Sequence, residues 1–236
     1  MIFKDIVWKE KNNEFIEYIK SFQNTEEKIV WTKKIINTNM PLLAIQSKEL
    51  KAIINEVKKT DIIDYLDLQL FDYYELTVIY GTLIMELKDF DEIKKYLNIL
   101  GNIADNWATC DTIPFKKIRK KFANELFGLA KDYLKSKKSF VRRIGLIILF
   151  EYHQDEYLNE VFDLIDMLEK EDHYYVNMAN AWLVSHLFIK NRNETLSYLD
   201  NHKLNTFTIN KAIQKCRDSF RVTPEDKELL LKYKVK

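Results

Sequence analysis

Phe140-Val141-Arg142-Arg143-Ile144-Gly145 lines up with Tyr174-Tyr175-Val176-Asn177-Met178-Ala179 and again with Phe207-Thr208-Ile209-Asn210-Lys211-Ala212. The aromatic openers are 34 and 33 positions apart. Each unit carries a polar residue three positions after its opener (Arg143, Asn177, Asn210) and a small residue two positions later (Gly145, Ala179, Ala212). A small residue at a fixed phase lets a neighbouring helix approach closely. A period of this length marks helix pairs stacked in an array. One step of 34 back from Phe140 lands on Asn106, which opens Asn106-Trp107-Ala108-Thr109-Cys110-Asp111.

The rest of the chain agrees with helices. Only 4 Gly and 3 Pro occur in 236 residues, too few for a fold of many tight turns. Apolar residues recur at helical spacing over 14–23, and Asn24-Thr25-Glu26-Glu27 reads as a helix start before 28–37. Ser47 reads as the cap of a helix with Leu50, Ile53, Ile54 and Val57 on one face. Further helices are predicted over 61–70, 73–87, 90–100 ending at Gly101, 102–112, 116–134, 140–152, 157–168, 174–189, 194–199, 207–220 and 225–232, with no strand. The tetratricopeptide and ankyrin signatures are missing, which leaves a HEAT-like array with short units. The expected fold is all-α: a right-handed HEAT-like helical-repeat solenoid, an α-α superhelix, as one domain over 1–236. Arg143, Asn177 and Asn210, being equivalent, are expected near one concave surface.

Charge is patterned beneath a net of +1. Residues 115–143 hold eleven Lys or Arg against two acids, a net of +9; residues 151–173 hold nine acids against Lys170, a net of −8. A basic strip is what a polyanion needs, although solvated helix faces also carry such runs. The first residues, Met1-Ile2-Phe3-Lys4-Asp5, carry no apolar leader core, and no apolar run approaches the roughly 18 residues of a membrane span. Cys110 and Cys216 make no disulfide framework, which fits a reducing cytoplasmic setting. His153, His173, His186 and His202 show no metal-ligand spacing, and the glycines are isolated, so neither a metal nor a phosphate-loop cofactor is expected.

Trp107 and Asp111 are four apart in a helical segment, so an indole and a carboxylate share one face. That patch suits a group both apolar and cationic; it also suits a core tryptophan beside a capping aspartate. Trp182 follows the polar position of the second repeat by five residues. Arg143, near a helix start, is a candidate phosphate clamp or a surface salt bridge.

Taken in order, Asn106-Trp107 with Asp111, Arg143-Ile144-Gly145-Leu146-Ile147, Tyr174 through Trp182 and Phe207 through Gln214 resemble bacterial DNA alkylation-repair proteins of the AlkD type, which are HEAT-like repeat DNA glycosylases. The resemblance covers nearly the whole chain, including Leu42-Leu43-Ala44-Ile45-Gln46. It implies excision of purines alkylated at N3 or N7 from double-stranded DNA without base flipping. By position Asp111 matches the catalytic carboxylate, Trp107 and Trp182 the aromatic pair, and Arg143 the phosphate-contacting arginine. The further DNA-binding set is Arg142, Lys116, Lys117, Lys120, Lys138, Asn177 and Lys211 along a concave basic groove. The implied protein works as a monomer without a cofactor. Ala108 stands where the family often has an acid, and Ala44, Lys48 and Lys51 where it often has Gly, Pro and Arg. These departures keep open a second reading, a catalytically weak or inactive member acting as a nucleic-acid- or protein-binding scaffold.

Overall fold

The computed structural model describes residue 3 and residues 6–235. The reading of the first five residues lies outside them, apart from Phe3. Among the described residues the regular structure is entirely helical. Among these residues no helix is long and apolar enough to cross a membrane. The chain divides into two compact units, Met1–Lys120 and Lys121–Lys236.

The first unit holds α1 (Trp8–Lys20), α2 (Glu26–Ile36), α3 (Ser47–Val57), α4 (Ile62–Asp67), α5 (Tyr74–Ile84), α6 (Phe90–Ile103), α7 (Trp107–Asp111) and α8 (Lys116–Arg119). Thr25 caps α2, its hydroxyl accepting from the Lys28 N–H, as the polar-then-acidic start predicts. Asp61 caps α4 and Asp89 caps α6 in the same way. Ser47 does not cap α3: it is the first helical residue, and Gln46 precedes it with no side-chain cap bond. The nearly all-apolar α5 is the centre of the unit, packing against α3, α4, α6 and α7. Around α1 the core is aromatic, with Trp8 edge-on to Phe15 at 5.2 Å and to Tyr65 at 4.8 Å.

Two expected helices are broken. Residues 90–112 do not split at Gly101; α6 runs on to Ile103, and the break falls at Ala104, whose ψ of 124° is extended. Residues 116–134 do not form one basic helix. The chain leaves helical geometry at Phe122 (φ −125°, ψ 47°), a buried ring, and the division between the units falls here.

The second unit holds α9 (Ala123–Leu134), α10 (Ser139–Leu149), α11 (Leu158–Asp166), α12 (Tyr174–Lys190), α13 (Arg192–Leu199), α14 (Thr206–Asp218) and α15 (Pro224–Leu229), with single 3-10 turns after α10, before α11 and after α15. The repeat is realised as α10, α12 and α14, each beginning at or next to its aromatic opener. α12 packs between α10 and α14, and α9 covers the other side of α10. Gly145, Ala179 and Ala212 are all buried. A Cβ on Gly145 would meet the Ala130 carbonyl oxygen and the Tyr133 Cβ at 3.1 Å, so α9 and α10 touch backbone to backbone.

The polar position departs from expectation. Arg143 is 4% and Asn177 5% exposed, so neither stands on an open surface. The Arg143 guanidinium donates to the Tyr175 carbonyl of the next repeat. Asn177 Oδ1 accepts from Asn205 (3.0 Å) and from the Thr208 hydroxyl (2.9 Å), while its Nδ2 donates to the Glu171 carbonyl (2.9 Å). At Arg143 and Asn177 this position joins one repeat to the next, whereas the half-buried Asn210 bonds to the backbone of Val235.

Replacing Gly145 with Val would push branched carbon into the α9 backbone. The expected cost is about 1–3 kcal/mol, read as a lowered urea midpoint with an unchanged slope; a midpoint equal to wild type would show that α9 yields freely.

Candidate nucleic-acid interface and reaction site

Helix α7 is five residues long and cannot hold itself. Its frame is a buried polar network. Asn106 Oδ1 accepts from the Thr109 N–H (2.9 Å), and Asn106 Nδ2 donates to Asp105 (2.9 Å) and to the Thr109 hydroxyl (3.1 Å). Thr109 in turn meets Thr77 of α5, oxygen to oxygen at 2.9 Å. Asp105 also accepts from the Thr38 hydroxyl (2.6 Å) and the Asn39 N–H (2.7 Å), which ties the turn after α2 to the start of α7. Burial pushes the Asp105 carboxyl up, but these donors outweigh it and hold its pKa below the usual carboxylate range.

Trp107 is half-buried, and its Nε1–H donates to the Ile35 carbonyl of α2 at 3.1 Å. Asp111, also half-buried, lies one turn on along the same face. Its charge acts on Tyr74 at the start of α5: burial first, then Glu75 and Asp111, push that phenol up, so it stays neutral beside the carboxylate. The expected pairing of indole and carboxylate on one helix face is therefore present, with a phenol close by.

Tyr74 and Thr112, the residue after Asp111, border a cleft of about 830 Å³ whose lining includes neither Trp107 nor Asp111. Its walls come from α2 (Lys28, Thr32, Ile36), the start of α3 (Gln46, Ser47, Lys51), α5 (Tyr74, Glu75, Val78) and the stretch after α7 (Thr112, Pro114, Lys117). Glu75 is an acid inside an apolar run. It accepts the N–H groups of Leu43 (3.1 Å) and Ile45 (3.3 Å), and burial raises its pKa against the pull of those bonds. It thereby holds Ala44 at a φ of 53°, a left-handed conformation that glycine adopts more cheaply by about 1 kcal/mol.

The expected DNA-binding residues fall into two groups. Lys116 and Lys120 are exposed in the first unit, as is Lys117, which pairs with Glu86, itself 2.7 Å from Lys58. In the second unit Lys138 is exposed at the start of α10, and Lys211 donates to Gln214 at 3.0 Å. Arg142, expected to reach DNA, is held internally. It grips Glu171 through Nε (2.6 Å) and Nη2 (2.8 Å) and donates to the Ser136 carbonyl (2.8 Å). The Glu171 side chain is 3% exposed. Its burial raises the carboxyl, and the Arg142 and His173 bonds bring it below the usual range.

Trp182 is 42% exposed on α12 and rests on Phe150 with ring centres 4.5 Å apart. Behind Phe150 is His186, whose pKa burial and then the charges of His153, Lys190 and Arg221 push down to about 4. Trp182 thus sits on a neutral aromatic bed. Among the described residues no group of three or more His, Cys, Asp or Glu could hold a metal ion. Sequence reasoning missed Asp105, Glu75 and Tyr74. Glu75 carried one signal, an acid alone in the apolar stretch 73–87; the other two carried none.

Two measurements test this frame. Asp105 has a depressed pKa, so its contribution is complete above the ordinary aspartate value near pH 4 and is lost as pH falls through its lower folded pKa. Asp105→Asn should destabilise by about 1–2 kcal/mol at neutral pH and flatten the loss of stability on acidification; an acid limb identical to wild type would remove the clamp. Arg142→Ala leaves Glu171 buried and unpaired, so about 3 kcal/mol should be lost by urea unfolding. An arginine used only on phosphate would leave that midpoint alone.

The model of one protein family, described as DNA alkylation repair enzyme, matches residues 9–216. None of the curated proteins matches the chain. A match over most of the length, crossing both units, shows that the chain belongs to the family of DNA alkylation repair enzymes.

Proposed function

We propose that this chain is a base-excision DNA glycosylase, hydrolysing the N-glycosidic bond of cationic N3- or N7-alkylated purines in duplex DNA without flipping the base. The observation that carries the reading is Trp107 and Asp111 on one face of a clamped α7, in a chain of the alkylation-repair family. The two units act as one repeat domain in this reading, as a monomer in the cytoplasm and without a cofactor.

A purine alkylated at N3 or N7 already carries positive charge. When its bond to C1′ breaks, the electron pair goes to the base, which leaves neutral, so no strong general acid is required. Positive charge then builds on the deoxyribose. Asp111 stabilises that charge and orients the water whose oxygen bonds to C1′ and whose proton is released. The Trp107 and Trp182 faces attract cationic, C–H-rich groups, at about 0.5–2 kcal/mol each. Lys116, Lys117, Lys120, Lys138 and Lys211 hold phosphates. For Arg142, Arg143 and Asn177 the supported role is indirect: they fix the helix starts around such contacts.

Those three internal residues favour the second reading, a weak or inactive family member that binds as a scaffold. Release of 7-methylguanine or 3-methyladenine from methylated DNA separates the two. Wild type should release base, and Asp111→Asn should slow release roughly 10²–10³-fold. Equal rates would take the carboxylate out of the mechanism. No release by either protein, with no salt-sensitive DNA binding, would leave the scaffold.

A further inference from the structure

Trp182 is 42% exposed, yet it does not stand alone. On α12 it shares a side with His186, one turn on. The Phe150 ring, just past the end of α10, stands against both: its centre is 4.5 Å from the indole at 54° and 5.2 Å from the imidazole at 47°. Phe150 opens the 3-10 turn Phe150–Tyr152, and that turn is fastened. His153 Nδ1 lies 2.9 Å from the Phe150 carbonyl oxygen; the oxygen can only accept, so this nitrogen carries the proton. The His153 carbonyl accepts from Asn191, just past the end of α12. The two imidazoles meet edge to face with centres 4.9 Å apart, and burial holds His186 neutral. The rings therefore form one supported chain, from His153 through His186 and Phe150 to the indole.

We propose that Phe150 is a positioning residue for the repair reaction: it sets the tilt at which Trp182 offers its face to the deoxyribose as positive charge builds there. The proposal rests on the repair reading. It asks for no base outside the stack, because a deoxyribose lies on the outside of a duplex. An unsupported indole on a helix surface settles on its neighbours four residues away, here Met178 and His186. With Phe150 against it the ring is held at one angle while much of it stays open. The attraction between an indole and a cation requires the cation to lie over the ring face, so a change of tilt loses most of it. The sugar charge exists only as the bond breaks. The effect of Phe150 therefore falls on the chemical step and not on DNA binding.

The test is a double-mutant cycle on the single-turnover release of 7-methylguanine from a methylated duplex, with DNA affinity measured beside it. Phe150→Leu keeps an apolar side chain but removes the flat ring. It should slow release about three- to tenfold and leave affinity within about twofold. Phe150→Tyr, which keeps the ring, should restore the wild-type rate. Trp182→Ala should slow release at least as much as Phe150→Leu, and the double variant should be no slower than Trp182→Ala alone, because Phe150 acts only through the indole. If Phe150→Leu melts early, Phe150→Met, flexible where phenylalanine is flat, replaces it in the cycle. Release by Phe150→Leu at the wild-type rate would overturn the proposal. So would a double variant whose loss is the product of the two single losses, since Phe150 would then act on its own. Wild type that releases no base overturns the repair reading and this proposal together.

Discussion

A five-residue helix has almost no stability of its own, and here it carries Asp111, the carboxylate on which the proposed chemistry is built. What fixes it is a chain of buried polar contacts from Thr38 through Asp105, Asn106 and Thr109 to Thr77. Thr38, Asn106, Thr109 and Thr77 are buried and must find their partners within the protein, and the half-buried Asp105 joins them to the turn after α2. The α7 backbone is thereby tied to α2 on one side and to α5 on the other. The Trp107 bond to Ile35 adds a third attachment, and Asp111 is oriented by geometry it did not itself create. Preorganisation of this kind is what an electrostatic role requires, because a carboxylate free to move would follow the charge instead of stabilising it.

The second unit uses the same device for another end. Glu171 is held by Arg142, and Asn177 gathers Asn205, Thr208 and the Glu171 carbonyl at the junction of α12 and α14. Small residues set how near the helices come; polar ones set their register. Stacked helix pairs depend on such junctions because each pair buries its apolar face only against its neighbours. Positive charge is therefore not all available to a ligand. Arg142 and Arg143 belong to the frame, while exposed lysines flank the breaks in the helices.

Several features were legible in the residues alone. The aromatic-polar-small phase gave α10, α12 and α14, the polar-acidic start gave α2, and apolar residues at helical spacing gave α4. The spacing of Trp107 and Asp111 placed both on one face, because helical phase is a local property. The helix breaks were not legible. Apolar spacing continues across Ala104 and Phe122; the chain turns after Ala104 where Asp105 meets Thr38 and Asn39, and at Phe122 where the ring is buried. Nor did sequence show that Asp105 is a clamp, since an aspartate before a helix looks the same whether it meets water or Thr38.

By itself the sequence determined an all-helical chain with a 33- to 34-residue repeat, its family, and an indole and carboxylate sharing a face. These rest on periodicity, which neighbours in the chain impose through the 3.6-residue turn. Only tertiary structure decided which polar residues are used up inside. Arg143 and Asn177 hold the helix stack together, and Glu75 holds Ala44 in a glycine's conformation. The reason is that a buried polar group takes whatever partner the packing brings, and that partner lies about thirty residues away, beyond the reach of any local pattern.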